Sequence, residues 1–380
     1  MDLEFDDHQI ELRDAARELL AKECPPATVR AVIDGTGDEP ADRLWKVLGS
    51  LDWPLLTIPE AHGGMGMGQV ELAIVCEELG YVADPTPFVA TTSQFVPVVA
   101  HCGDEAQRSR FLGEVAAGGT GTLAVADASG RWDPASPPVR ATRTAGGWRL
   151  DGTACFVVDG DRADRIAVLA AADDGPVAVV VPAGAAEVRR TPSFDATLHL
   201  AEVCVDGVEV DDDACLRGGP GDGARAVEEA TTAMALVVVG ACQRALDLVL
   251  AYVREREQFG VPIGSFQAVK GKAVDMYVVI ERARALGWFA ALTAAEDDAR
   301  RSLAASMASA AASEAQRLVF QHAIQLFGGI GFTWENDLHL YLRRAKAASL
   351  LFGTAEEHRA RIGSDALAAR GAAHAGGGPA

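Results

Sequence analysis

The feature that most constrains this chain is a change of periodicity along it. Helix-type patterning at both ends flanks a central stretch of short β-prone runs. Over residues 1–117 the apolar positions recur at helical spacing. Asp6 and Asp7 can cap a first helix that carries Ile10, Leu12, Leu19 and Leu20. The segment QVELAIVCEELGY, residues 69–81, predicts a second helix, with Gly80 placed to end it. Over 118–218 short β-prone runs fall at 154–158, 166–169, 177–181 and 203–210. Gly146-Gly147, Asp151-Gly152, Asp173-Asp174-Gly175 and Pro182 separate them, which predicts an all-β sandwich or barrel, not βαβ units. From 219 the helices become long. They are expected over 223–256, from a cap at Ser265 to 295, and over 298–327, ending at Gly328-Gly329, with two shorter helices after them. Short connections make neighbours antiparallel, as in a bundle. The expectation is an α+β multidomain chain. It has an N-terminal α-helical domain (1–117), a middle β-barrel or sandwich domain (118–218) and a C-terminal four-helix-bundle domain (219–370). A Gly- and Ala-rich tail, 371–380, is expected to be disordered.

Composition narrows the function classes. The 380 residues carry 34 Lys and Arg against 54 Asp and Glu, a formal charge of −20. Nucleic-acid binding needs clustered cations to neutralise phosphate, so it is excluded as an unaided activity. Seven scattered cysteines form no Cys-x-x-Cys pair, which argues for free thiols in a reducing, cytoplasmic setting. The acidic N-terminus holds no signal run, and the longest apolar run, 233–242, is about half a membrane span. Membrane insertion is therefore not expected. The eight histidines make no His-x-x-x-His or Glu-x-x-His pair, so no metal is expected, and no Gly-x-Ser-x-Gly elbow is present. The glycine run at 63–68 could be taken for a dinucleotide loop, but it follows no strand. It is read as a flexible connection between helices.

Two stretches carry more specific information. One is Arg256-Glu257-Gln258-Phe259-Gly260-Val261-Pro262-Ile263-Gly264-Ser265-Phe266-Gln267, with Ala273-Val274-Asp275-Met276 after it. The other is Gln325-Leu326-Phe327-Gly328-Gly329-Ile330-Gly331-Phe332, followed by Arg343-Arg344-Ala345-Lys346 and Phe352-Gly353-Thr354. In order and separation these resemble the motifs of the acyl-CoA dehydrogenase family, as does Ile58-Pro59-Glu60-Ala61-His62-Gly63-Gly64 near the start. The resemblance covers about residues 1–368, including the helix–strand–helix division.

That resemblance implies an FAD held at a subunit interface, its adenosine end gripped by the neighbouring subunit. The residues it assigns to this grip are Arg256, Gln258, Phe259, Gln267, Gln325, Gly328, Gly329, Thr354 and Glu356. Arg256 can pair with pyrophosphate, and the glycines permit close backbone approach. Thr354-Ala355-Glu356-Glu357 also reads as a capping box. The implied reaction is α,β-desaturation of an acyl-CoA, a glutamate taking the α-proton and FAD the β-hydride, with electron-transfer flavoprotein or a similar acceptor.

The sequence departs from the family where chemistry is done. The two usual glutamate positions are Phe352 and Ala230, and an arginine that meets the acyl-CoA is Thr231. Glu228 and Glu229 lie beside Ala230, but one residue turns a helical side chain by about 100°. In the loop that the family uses for its flavin, the threonine that meets the flavin ring has become Ala126 and the serine that meets the pyrophosphate has become Trp132; in the flanking strand, threonine is Val158. No catalytic residue is therefore assigned in this chain. The pattern resembles the non-catalytic subunit of actinobacterial heteromeric (α2β2) steroid acyl-CoA dehydrogenases. Its partner would be a homologous catalytic subunit, and its substrate a bulky, steroid side-chain acyl-CoA. Two alternatives stay open: a flavin monooxygenase-like relative on the same fold, and a cofactor-free structural subunit.

Overall fold

A computed structural model describes residues 5–375, apart from 36, 38 and 220. Seven helices come first: α1 (Asp7–Glu23), α2 (Pro26–Ile33), α3 (Glu39–Ser50), α4 (Gln69–Val82), α5 (Phe88–Ala90), α6 (Val96–Cys102) and α7 (Glu105–Ala116). Asp6 caps α1, accepting from Gln9 N–H while the Gln9 side chain returns to Asp6 N–H. A π-helical turn, Thr91–Phe95, joins α5 to α6.

Gly80 does not end α4. The helix runs to Val82 and ends on Ala83 in the left-handed region. Gly80 instead faces Val237, and Gly240 of α8 (Asp222–Glu255) faces the Glu77 carbonyl. A Cβ at either position would overlap the opposite backbone. These two glycines thus let α4 and α8 pack main chain against main chain, a need that helix-end signals do not reveal.

Nine strands make up the middle layer, in two sheets. They are β1 (Gly121–Ala124), β2 (Val139–Arg143), β3 (Gly147–Asp151), β4 (Thr153–Val158), β5 (Arg165–Ala172), β6 (Gly175–Pro182), β7 (Glu187–Thr191), β8 (Leu200–Cys204) and β9 (Val208–Asp211). One sheet has the order β1-β5-β2-β3-β9, with β6 on the other side of β5; the other is β4-β8-β7. The run at 203–210, expected as one strand, is split by Asp206-Gly207 between β8 and β9, which belong to different sheets. Val139, Leu150, Val157, Ile166, Val168 and Val203 fill the core between the sheets.

After α8 comes a short hairpin, β10 (Glu257–Gln258) and β11 (Val261–Pro262), then α9 (Gln267–Ala295), α10 (Arg301–Phe327), α11 (Leu338–Ala348) and α12 (Ala355–Ala375). Ser265 does not cap α9; its hydroxyl donates to Pro262 O. Helix α12 runs into the segment expected to be disordered, where alanine favours helix; residues 376–380 lie outside those described. Helix α8 is long and apolar enough to cross a bilayer, yet it is the buried centre of the bundle. The N- and C-terminal helices share one apolar core, from Leu20 and Leu79 through Leu236 to Phe320 and Phe352. Division by element type is therefore not division by core.

Candidate functional site

Two places carry the residues singled out by sequence, and they differ in accessibility. The first is the buried contact where the middle layer meets the turn before α12. Ala126, on the loop after β1, bridges to Cys155 of β4, accepting Cys155 N–H at 2.9 Å. That bridge lays the 126–133 loop against β4. The loop turns back on itself because the Asp127 carboxylate accepts from Ser129 N–H, Ser129 O–H and Arg131 N–H. Trp132 then enters the core at 3% exposure and packs on Phe352, ring centroids 4.5 Å apart and tilted by 45°. Ala126, Val158 and Phe352 are fully enclosed with it. These four side chains pack together as hydrocarbon.

Ala230 is buried in α8 without a titratable group. Each neighbouring glutamate is held by other helices. Glu229 is buried and accepts from Gln69 Nε2 at 2.8 Å, with His101 Nε2 at 2.8 Å on its other oxygen. Glu228 lies 3.1 Å from Arg301, and burial raises its carboxyl above the usual range. Both thus serve as links between helices. Nothing local in the sequence marked Gln69 or His101 as partners of Glu229. Likewise Arg344 is buried on Asp195 and Thr197, far away in sequence, at 2.7 and 2.8 Å. All seven cysteines are free; burial pushes the Cys24, Cys76 and Cys242 thiols far up, so they are poor nucleophiles.

The second place is one end of the bundle. Arg256 ends α8, and Tyr252, one turn earlier, packs on Phe327 at the end of α10 with centroids 4.7 Å apart. The C-terminal ends of α8 and α10 therefore lie side by side. Arg256, Gln258, Phe259 and Gln267 come from the α8–hairpin–α9 corner, and Gln325, Gly328 and Gly329 from the end of α10. All seven are exposed, and the Phe259 ring is 93% so. Phe259 and Gly260 both adopt positive φ in a two-residue hairpin turn, which thrusts the ring outward. Gly328 has φ +65°, with open space where a Cβ would stand. Exposed Val274, Tyr277 and Val278 continue the uncovered surface along α9.

Thr354 and Glu356 are placed elsewhere, at the start of α12 directly after the buried Phe352 turn. The capping box forms: Glu357 accepts from Thr354 N–H and O–H, and Glu357 N–H donates back to the Thr354 hydroxyl. Thr354 is thereby committed to its own helix, and Glu356 is exposed beside Arg359.

Comparison with known proteins accounts for this arrangement. The model of the acyl-CoA dehydrogenase C-terminal domain matches residues 221–367, and that of the N-terminal domain residues 6–119. The acyl-CoA dehydrogenase IpdE2 of Mycolicibacterium smegmatis is 32% identical over 354 residues, 92% of this chain and 96% of that protein. Among solved structures, the ChsE4–ChsE5 complex from Mycobacterium tuberculosis matches with TM-score 0.88 and 26% identity, covering 97% of this chain and 99% of that one. A variant of the Tcur3481–Tcur3483 steroid ACAD matches with TM-score 0.87 and 32% identity, at the same coverage. Helical ends, a β middle layer and motif residues gathered at one end of the bundle thus have one explanation: the chain belongs to the acyl-CoA dehydrogenase family.

Proposed function

We propose that this chain is the non-catalytic subunit of a heteromeric, FAD-dependent acyl-CoA dehydrogenase acting on a bulky, steroid-type acyl-CoA. One observation carries the proposal: Phe352, at the position the family gives to its base, is fully buried and packed against Trp132, which enters from the loop the family uses for its flavin. The residues there do not fit a flavin ring, since Ala126 and Val158 offer it no side-chain hydrogen bond and the space is taken. The bundle end fits the polar, anionic half of FAD. Arg256 is an exposed cation for pyrophosphate, Gln258, Gln267 and Gln325 offer amides, and Gly328 leaves room for close approach. Thr354 and Glu356, behind the Phe352 turn, are the weaker members of the set. FAD bound on a partner would supply the hydride acceptor of the α,β-desaturation. This chain would hold the cofactor's far end and bury its apolar α9 surface against that partner. Among the solved relatives, the ChsE4–ChsE5 complex supports the heteromer, and the Tcur3481–Tcur3483 steroid ACAD supports both the heteromer and the substrate class. Free cysteines accord with a cytoplasmic location.

Co-expression with a homologous chain bearing a glutamate at either base position tests the proposal. The purified assembly should hold one FAD per two chains, by flavin absorbance against mass from light scattering. This chain alone should be colourless and inactive. One FAD per chain, or activity in the isolated chain, would overturn it. The buried Trp132–Phe352 contact also weighs against a monooxygenase-like function, which needs the flavin ring in this same place.

A further inference from the structure

We infer that Trp132 occupies a slot shaped for a flat aromatic ring. Its indole keeps a planar heteroaromatic ligand out of this chain more than the missing polar contacts do. Trp132 sits on an irregular loop, where a large side chain would ordinarily face solvent, yet it is 3% exposed. The Asp127-centred turn delivers it inward, and its ring meets Phe352 at 4.5 Å.

The frame of the slot carries backbone strain. Among the described residues seven non-glycine residues have positive φ, and two of them lie at the slot: Phe156 of β4, under the Trp132 loop, and Phe352, against the indole. Such backbone persists where the surroundings over-determine it, and it gathers at ligand sites. The Phe156 ring lies under the loop, 3.8 Å from where a Cβ on Gly130 would stand. A rigid frame of this kind should keep its shape when the indole is removed, leaving an apolar cavity able to take an aromatic guest. The inference rests on the proposed blockage of the flavin position and adds that the indole, more than the missing polar contacts, causes it and can be replaced by an aromatic guest.

The test uses the full chain with Trp132→Ala and Trp132→Phe, free indole and lumiflavin as probes, and thermal melting and flavin fluorescence as readouts. Trp132→Ala should melt below the wild type. Indole at about 100 times its Kd should raise that melting temperature by roughly 5–10 °C. Wild type and Trp132→Phe should not respond to indole. Lumiflavin fluorescence should be quenched by Trp132→Ala and not by the wild type. If Trp132→Ala yields no folded protein by itself, the readout is folded yield with indole in the growth medium, and a gain supports the slot. No effect of indole on either quantity overturns the inference, since the loop would then have collapsed into the space. Quenching of lumiflavin by the wild type also overturns it. One FAD per chain in the wild-type assembly would overturn the proposed function and the exclusion of flavin by Trp132 together, whereas one FAD per two chains without indole rescue would overturn the slot alone.

Discussion

Replacing Arg344 by methionine probes how the middle layer is held on the helical body. Arg344 lies on α11 and is 2% exposed; its partner Asp195, in the loop before β8, is 1% exposed. The guanidinium donates to Asp195 Oδ2 at 2.7 Å and to the Thr197 hydroxyl at 2.8 Å. Asp195 Oδ1 also accepts from Thr197 N–H and O–H, so the carboxylate keeps two donors when Arg344 is lost. Stranding one charge of a buried pair costs about 3–5 kcal/mol, and the surviving Thr197 bonds favour the lower end, about 3 kcal/mol. For a cooperative unit of 150–250 residues this lowers Tm by roughly 6–12 °C. Helix α11 leads directly into the Phe352 turn, so tryptophan emission should shift to the red as Trp132 gains access to water. Removing the stranded charge as well, in Arg344→Met/Asp195→Asn, should recover about 1 kcal/mol or more. Differential scanning calorimetry of the two single variants and the double variant measures the coupling. An unchanged Tm for Arg344→Met, or losses in the single variants that simply add, would refute the account of a buried tether.

Three other outcomes are expected. Arg256→Ala should leave the melting of the isolated chain unchanged, because the side chain is exposed at a helix end. In the heteromer it should weaken FAD binding by roughly 10- to 150-fold, the loss of a charge-assisted contact of about 1.5–3 kcal/mol, read by flavin release on dilution. Phe352→Glu should give no dehydrogenase activity in the isolated chain and should destabilise it, since a carboxylate would replace a fully buried ring; activity assay and melting check both. His358 is buried, and burial pushes its pKa down to about 4. The unfolded chain binds that proton near pH 6.5, so the stability His358 contributes is lost as pH falls from 6.5 towards 4, by up to about 3 kcal/mol. His358→Leu should flatten the pH dependence of denaturant unfolding in that window. Asp84, raised to about 6 by burial, acts in the opposite direction and cancels in the comparison.

Local physics made much of this protein legible. Helical and strand periodicities are properties of adjacent residues, so the three-part division, the Asp6 cap and the Thr354 capping box could all be read directly. The motif residues and the losses at Phe352 and Ala230 are single-position facts and need no coordinates. Tertiary structure alone decided which groups meet. Gly80 looked like a helix end because end signals are local, whereas its use is the close approach to α8. The 203–210 run looked like one strand because strand propensity does not report sheet membership. Glu229 showed in the sequence only as a neighbour of Ala230; packing set Gln69 and His101 on it, residues from helices distant in sequence. The substitutions at 132 and 352 were visible as losses of polar function. That the two rings pack together out of solvent follows only from the loop folding back over β4, because burial depends on the whole chain and not on neighbours in sequence.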